Sequence, residues 1–294
     1  MAFVPNTLSN LPVTSGRVFF VSSTGNRDTG GRASDGNAGR DPSVPMATVD
    51  AAMARCKASS GDLIVVMPGH VESLGASDIT MDVAGVSIIG LGQGGSRPVI
   101  THAATGSTVS VTAANCRVSN IEFTPGIASV AAAFTVSGAN FELDNCKFNS
   151  AAAFEFLRVV SLASGATGSV IRDCVINGLD GAAGATGIAL NGCDQVQILR
   201  NIIQGVFSTG AIENVTASAM QTIIADNIVS NQSTSGTITM LATATGVISN
   251  NMLSNRTTGL GAASFTGGDC LCNQNFYVND EDEANVIVPT TAST

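Results

Sequence analysis

Apolar and polar positions recur along the second half of this 294-residue chain with a spacing of 24 to 28 residues. Seven eight-residue segments align on it: VSNIEFTP from Val118, LDNCKFNS from Leu143, IRDCVING from Ile171, ILRNIIQG from Ile198, IADNIVSN from Ile224, ISNNMLSN from Ile248 and CNQNFYVN from Cys272. Their first and sixth positions are apolar and a short polar element lies between, which predicts a strand, a turn and a second strand. The regular spacing predicts that these units stack as coils of a solenoid.

Further apolar runs lie between the aligned segments, beginning at Ser107, Ala132, Leu157, Thr186, Thr209, Gly236 and Ala262. Each coil is therefore expected to contain about three strands. Two earlier and less regular coils are predicted from Gly61 and Val86. Their residues Ile64 and Ile88 are 24 positions apart, and Val118 follows 30 positions later.

One amphipathic helix is predicted before the coils. Its apolar face consists of positions i, i+3, i+4 and i+7, which are Val49, Ala52, Met53 and Cys56. Thr48 is the expected N-cap, and Arg55 and Lys57 fall in the last turn. Because a solenoid needs an atypical terminal unit, this helix is expected to cap the open end of the stack.

The chain divides into four parts on this pattern. Residues 1–16 are a polar N-terminal arm, residues 17–61 hold a first strand, a Gly/Asp-rich loop and the capping helix, and residues 62–279 form the solenoid. Residues 280–294 are a tail that begins acidic and ends in a short β-prone run. The tail is expected either to fold back as a cap or to reach a neighbouring molecule.

The coil length, the Asn-bearing turn and the segment VFFVSSTGN…ATVDAAMARCKASSGDLIVVMPGHVESL resemble those of right-handed single-stranded parallel β-helix (pectin-lyase-like) proteins, particularly those of tailed bacteriophages. The resemblance covers residues 17–279. It implies an all-β solenoid of about 8–9 coils of 24–30 residues with an N-terminal capping helix. This fold serves pectin lyases, tailspike glycosidases and structural virion proteins, so it does not fix the activity.

The resemblance also implies a ladder of side-chain amides that hydrogen-bond from coil to coil at the fourth segment position. Asn201, Asn227, Asn251 and Asn275 match that pattern. Cys146 and Cys174 stand at the same position in two earlier coils and depart from it, as does Ile121. The Asn ladder is therefore expected only in the C-terminal half, with the two cysteines as small buried residues of the same column.

Composition and charge disfavour several classes of partner. With Lys+Arg at 13 and Asp+Glu at 22 the net charge is −9, which disfavours nucleic acid. No apolar run is long enough to cross a membrane. The seven cysteines are interpreted as reduced thiols, no paired CxxC motif is present and the two histidines stand alone, so no metal or cofactor is expected. The GLGQGG run from Gly90 is followed by Pro98, which favours a tight turn over a dinucleotide site.

The third segment position carries the weak catalytic candidates Asp173, Arg200 and Asp226 on three successive coils. Stacked strands would place them about 5 Å apart. Two carboxylates beside an arginine could provide acid–base catalysis on a sugar. The same alternation of charges is also expected for a purely structural ladder of salt bridges. Asp144 and Arg172 alternate in the same way one position earlier, which favours structural pairing. The absence of Trp and the single Tyr277 leave few aromatic platforms for a sugar.

The fifth segment position indicates an oligomer interface. Alternation sends this position outward, yet in the later coils it is apolar, with Val175, Ile202, Ile228, Met252 and Phe276, after Glu122 and Lys147 in the earlier ones. A long exposed apolar stripe is typical of an interface. The alternative is that the alternation breaks at the turn and these residues belong to the core. If the alternation holds, three parallel copies of the solenoid packed about a threefold axis would cover the apolar stripe.

These observations favour a non-enzymatic structural protein of a phage virion, most simply a homotrimeric capsid decoration or cement protein. Such a protein would be assembled in the host cytoplasm, would lie on the virion surface and would contact the phage major capsid protein or neighbouring virion proteins through its termini. Fewer than 20 residues precede and follow the repeats, which favours this hypothesis over a tailspike. The alternative is a tailspike-like β-helix that degrades or binds a polysaccharide.

Overall fold

The computed structural model describes residues 14–25, 31–76, 78–151, 153–178, 184–255, 265–279 and 286–290. The first strands are β1 (Val18–Val21), β2 (Leu63–Val66), β3 (Val71–Leu74), β4 (Ile79–Met81), β5 (Ser87–Gly90), β6 (Val99–His102), β7 (Val109–Val111), β8 (Arg117–Ser119), β9 (Glu122–Pro125), β10 (Phe134–Val136), β11 (Glu142–Asp144), β12 (Lys147–Asn149) and β13 (Arg158–Leu162). They are followed by β14 (Val170–Arg172), β15 (Val175–Gly178), β16 (Gly184–Leu190), β17 (Gln197–Leu199), β18 (Ile202–Gly205), β19 (Phe207–Asn214), β20 (Thr222–Ala225), β21 (Ile228–Asn231), β22 (Gly236–Thr239), β23 (Gly246–Ser249), β24 (Met252–Asn255), β25 (Phe265–Thr266), β26 (Leu271–Asn279) and β27 (Val286–Thr290).

These strands build three parallel faces. Every third strand pairs in parallel with the one a coil earlier, so β2, β5 and β8 belong to the first face, β3, β6 and β9 to the second, and β4, β7 and β10 to the third. From β2 to β25 this gives eight coils of three strands, with β1 below them and β26 above. The predicted fold class, an all-β parallel β-helix of about eight coils, is confirmed.

The register places the residues that the repeat aligned directly above one another. Ile64 pairs with Ile88, and Ile88 pairs with Val118, which confirms the two irregular early coils. The first and sixth segment positions point inward, and Val118, Phe123 and their counterparts in later coils are buried. The main core is a continuous apolar column inside the coils, because each strand turns alternate side chains inward. A second, smaller buried cluster consists of Phe20, Leu63, Val65 and Leu91.

The N-terminal helix α1 (Val49–Met53) is shorter than the periodicity predicts. Thr48 is the N-cap, and its hydroxyl accepts a hydrogen bond from the Ala51 amide at 3.3 Å. The prediction that the helix extends through Cys56 is wrong, because the Cys56 amide bonds the carbonyl three residues earlier and Asp62 accepts the Lys57 amide at 2.8 Å. Val49, Ala52 and Met53 are buried at the base of the core, as a cap requires.

The glycine-rich run after β5 is a turn. A single 3-10 turn occupies Gly94–Ser96, and β6 begins right after Pro98. A Cβ on Gly90 would lie 2.2 Å from the Asn120 carbonyl oxygen of the next coil, so close stacking requires glycine there. Among the described residues, no helix is long and apolar enough to cross a membrane.

Both ends of the stack are covered by chain. Strand β27 pairs antiparallel with β26, with Phe276 opposite Ile287 and Tyr277 opposite Val286. At the other end, Thr14 donates a hydrogen bond to the Gly61 carbonyl, and a Cβ on Gly16 would lie 2.3 Å from Gly61. Residues 14–16 therefore pack on the solenoid, whereas residues 1–13 of the predicted arm and most of the predicted tail lie outside the described residues.

Candidate functional site

One outer edge of the solenoid, between its first and second faces, is made by the same turn in seven successive coils. The third residue of each aligned segment has a φ between 50° and 60°; these residues are Asn120, Asn145, Asp173, Arg200, Asp226, Asn250 and Gln274. Asn and Asp tolerate this left-handed conformation better than most residues. We call this edge the ridge. The three weak catalytic candidates, Asp173, Arg200 and Asp226, are therefore ridge residues. What they share with the other ridge residues is the left-handed backbone conformation of the turn.

The fourth position, directly after the ridge turn, points into the core and carries the Asn ladder. The Oδ1 of Asn227 accepts hydrogen bonds from the backbone and side-chain nitrogens of Asn201 at 2.9 and 3.0 Å. Asn251 and Asn275 continue the same pattern upward. Each side-chain nitrogen also donates to a backbone carbonyl, as Asn227 does to Ile198 at 2.9 Å. These bonds satisfy buried backbone groups that the turn leaves without strand partners.

The two cysteines of this column lie below the ladder. Cys146 and Cys174 are both buried, and the Cys174 amide donates to Asn201 Oδ1 at 3.0 Å. Burial, with a smaller contribution from the hydrogen bond to Cys146, raises the pKa of the Cys174 thiol well above its usual range. A neutral thiol fills the column as a small apolar group and supplies no side-chain oxygen to the coil below.

The charged ridge residues form a pair, not a triad. Arg200 binds the Asp173 carboxylate through two nitrogens, each at 2.8 Å. This hydrogen bonding raises the pKa of Arg200 and lowers the pKa of Asp173. Asp226 is exposed and, in the part of the chain that the structure describes, forms no salt bridge with Arg200. An arginine held in this way releases its proton less readily, which is the opposite of what a catalytic base requires.

A second set of alternating charges lies beside the ridge, one and three positions before the turn residues. Arg172 contacts Glu142 at 2.5 Å, Asp144 at 3.5 Å and Asp173 at 3.4 Å, and Arg117 contacts Asp144 at 2.6 Å. The predicted alternation of Asp144 and Arg172 is thus a set of direct contacts. Within the described ranges, no three His, Cys, Asp or Glu side chains come together as a metal site would require. The charges are mutually neutralised on a partly exposed surface, an arrangement suited to stacking coils.

The fifth segment position points outward, as the alternation predicts. Val175 is half-buried, whereas Ile202, Ile228, Met252 and Phe276 are 39%, 46%, 56% and 53% exposed. The alternative, that these residues belong to the core, is wrong for the last four. Because this column directly follows the ridge turn, we call it the post-turn flank; below Val175 it continues with Lys147 and Glu122.

A second outward column, which the sequence did not single out, lies on the other side of the ridge. It consists of the residue immediately before each aligned segment: Arg117, Glu142, Val170, Gln197, Ile223, Val247 and Leu271. Ile223, Val247 and Leu271 are 39%, 36% and 65% exposed. We call this column the pre-turn flank. The sequence could have revealed this column, because apolar residues recur in the later coils at the position directly before each aligned segment.

A small cavity lies beside the turns that join the second and third faces. Its polar lining includes Ser150, Asn177 and Glu155, and Glu155 is buried. The Oε1 atom of Glu155 accepts hydrogen bonds from the Ser129 amide and hydroxyl at 2.8 and 2.9 Å, while the Oε2 atom of Glu155 has no hydrogen-bond partner among the described residues. The cavity has room for about one water molecule, which would satisfy that oxygen.

Comparison with known proteins gives the fold. No protein-family model and no curated protein matches the chain. A pectate lyase, Pel9A, is similar over 95% of this chain and 82% of its own length, with a TM-score of 0.52 and 14% identity. A rhamnogalacturonan lyase is similar over 88% and 87%, with a TM-score of 0.50 and 13% identity. The Dettilon tailspike protein matches over 90% and 62%, with a TM-score of 0.41 and 14% identity. At these identities the two lyases share the parallel β-helix fold with this chain, and nothing about activity follows.

Proposed function

We propose that this chain is a non-enzymatic structural protein of a phage virion, a homotrimeric β-helix that coats or stabilises the particle surface as a capsid decoration or cement protein. The observation that carries the proposal is the apolar post-turn flank. It leaves Ile228, Met252 and Phe276 about half exposed on three successive coils. Contiguous exposed apolar patches are unusual on monomeric proteins and mark interaction surfaces.

The ridge charges support a structural role over catalysis. Asp173 and Arg200 neutralise one another, and Asp226 stands outside the pair. The lyases that share the fold make a polysaccharide enzyme the natural competing hypothesis. That hypothesis needs a positioned acid and base, and the mutually neutralised Asp173–Arg200 pair does not supply them.

Aromatic exposure also disfavours a glycan ligand. Tyr277 is buried, and its hydroxyl donates a hydrogen bond to Asn255 Oδ1 at 2.9 Å. Among the described residues, the exposed aromatic rings are those of Phe154 and Phe276, at 39% and 53%. Two phenylalanines offer little stacking surface for an extended sugar chain, and Phe276 belongs to the apolar flank.

The proposal assigns contacts with the phage major capsid protein, or with a neighbouring virion protein, to the chain termini. A variant lacking residues 2–13 keeps Thr14 and Gly16 against Gly61, so the solenoid and its self-association are expected to remain. This variant should stay a trimer by mass measurement in solution but no longer bind purified particles. If the variant lacking residues 2–13 binds particles as well as the full-length chain does, the N-terminal arm does not make the contact with the particle.

Mass and location test the proposal as a whole. The full-length chain should have three times the mass of one copy in solution, and antibody labelling should detect it on the surface of intact particles. A monomer that is absent from particles and cleaves a bacterial polysaccharide would establish the competing enzyme hypothesis instead.

A further inference from the structure

We propose that copies of this chain assemble side by side, parallel and in register, with the pre-turn flank of one copy packed on the post-turn flank of the next. The inference rests on the proposed self-association and specifies its geometry. In this arrangement the ridge of each copy faces a common axis. The contact is heterologous, because two different surfaces of the chain meet at it, and a closed ring satisfies both surfaces of every copy.

The first step is that the two flanks lie at equal heights. Within one coil the two residues are five positions apart and stand on either side of the same ridge turn. Ile223 and Ile228, for example, flank the turn at Asp226. When parallel copies are held at the same height about an axis, each pre-turn residue therefore faces the post-turn residue of the same coil in its neighbour.

The second step is that the charges on the two flanks are complementary coil by coil. In one coil Arg117 is on the pre-turn flank and Glu122 on the post-turn flank. In the next coil the signs reverse, with Glu142 before the turn and Lys147 after it. Within its own copy Arg117 already contacts Asp144 at 2.6 Å and Glu142 contacts Arg172 at 2.5 Å. A pre-turn flank in register on a post-turn flank adds Glu122 and Lys147 of the neighbour to these ion pairs, with opposite charges together at both levels. This complementarity selects the register and the partner flank.

The same charges disfavour the simplest alternative. Two parallel copies joined through the same flank in register would place Glu122 against Glu122 and Lys147 against Lys147. Like charges at each level oppose that contact. An antiparallel pair of copies would set Glu122 or Lys147 against the apolar upper part of a flank, where a charge loses water without gaining a partner.

The third step is that apolar residues match in the upper coils. In coil order, the facing pairs are Val170 with Val175, Gln197 with Ile202, Ile223 with Ile228, Val247 with Met252 and Leu271 with Phe276. Four of these five pairs are apolar on both sides. The two flanks are therefore charged and charge-matched near the base of the stack and apolar near its top, and both properties fit one arrangement.

The exposed apolar area of the two flanks can be compared with the size of a standard interface. Taking roughly 200 Å² for a fully exposed large apolar residue, the exposed members of the post-turn flank offer about 400 Å² and those of the pre-turn flank about 300 Å². A stable interface buries about 800 Å² per partner. Each contact of the ring covers one flank of each partner, about 700 Å² of apolar surface in total, which is somewhat under half of a standard interface. Because every copy makes two such contacts, one through each flank, both exposed columns become covered.

A charge-pair experiment tests the geometry. Met252→Lys places an ammonium on the post-turn flank, and Val247→Glu places a carboxylate on the pre-turn flank of the same coil; both wild-type side chains are partly exposed. Each single variant should raise the concentration for half-assembly by at least about 100-fold, because an unpaired charge enters an apolar contact. The double variant should return to within about tenfold of the wild type, because the new charges face each other across the interface. Val44→Lys, at an exposed position of the N-terminal loop, is the matched control and should assemble like the wild type.

Mass photometry and sedimentation equilibrium distinguish the outcomes. If the wild-type chain stays monomeric at every concentration, both the proposed self-association and its geometry are refuted. An oligomeric wild type that tolerates Val247→Glu, or a double variant that assembles no better than the singles, overturns the two-flank geometry while self-association stands. Recovery of assembly in the double variant alone supports it, since contacts between identical flanks cannot be rescued in this way.

Discussion

Removing one rung of the Asn ladder should cost more stability than its single side chain suggests. In Asn227→Ala, the buried backbone N–H of Asn201 loses the acceptor that it contacts at 2.9 Å. The carbonyl of Ile198 loses a donor at 2.9 Å, and Asn251 Oδ1 loses one of its two donors. The substitution therefore leaves polar groups of two neighbouring coils without partners.

The magnitude follows from that count. One buried, unsatisfied amide costs about 1–3 kcal/mol, and the lost carbonyl contact adds part of a second hydrogen bond. We expect Asn227→Ala to lower the free energy of unfolding by about 2–4 kcal/mol. Asn227→Cys, which copies the residue type of Cys146 and Cys174, fills more of the space but offers no side-chain oxygen. It should fall between the wild type and the alanine variant.

Urea unfolding followed by circular dichroism measures these differences. Ser230→Ala is the matched control, because Ser230 lies on β21, the strand that begins directly after Asn227, points outward and is only partly buried. It should change the free energy of unfolding by less than about 0.5 kcal/mol. An Asn227→Ala variant as stable as this control would refute the idea that the ladder amides satisfy groups the turn leaves unpaired.

Three other substitutions test the electrostatics. Burial lowers the pKa of His102 from its usual 6.5 to about 4, so the native state keeps it neutral while the unfolded chain binds a proton below pH 6.5. The free energy of unfolding should therefore fall as the pH drops from 6.5 to about 4, by up to about 1.4 kcal/mol per pH unit, and His102→Gln should remove this contribution. Urea titrations at several pH values check this, and an equally steep loss in the variant would contradict it. On the ridge, Asp173→Asn should lower the free energy of unfolding by at most about 1 kcal/mol because the Arg200 pair is partly exposed, and Asp226→Asn should leave it nearly unchanged. A polysaccharide-cleaving activity that Asp226→Asn abolishes without a change in melting temperature would contradict the structural interpretation of the ridge.

Most of the fold could be predicted from the repeat because stacking converts sequence spacing into spatial neighbours. Ile198, Ile224 and Ile248 are vertical neighbours, as their equal segment position predicts. The capping helix was harder to predict, since its periodic residues continue to Cys56, whereas the helix ends at Met53 and the Lys57 amide donates its hydrogen bond to the Asp62 carboxylate. That bond depends on the position of Asp62, which only the folded chain fixes.

For the candidate site, the sequence supplied the columns and the structure supplied the contacts within them. Alternation alone predicts that Ile228 and Met252 point outward, and they do. It does not predict that Arg200 binds the Asp173 carboxylate below it and, within the described part of the chain, forms no salt bridge with Asp226 above it, because that choice belongs to the side-chain conformation of one arginine.

By itself, the sequence determined which residues share a column and which columns face inward, because a strand alternates its side chains and a solenoid repeats its coil length. Only the tertiary structure decided which columns become neighbours across a turn. The left-handed residue at each ridge turn, such as Asp226, sets the two flanks on either side of one edge and at the same height. That geometry turns Val247 and Met252, five positions apart in the chain, into candidates for opposite sides of one interface.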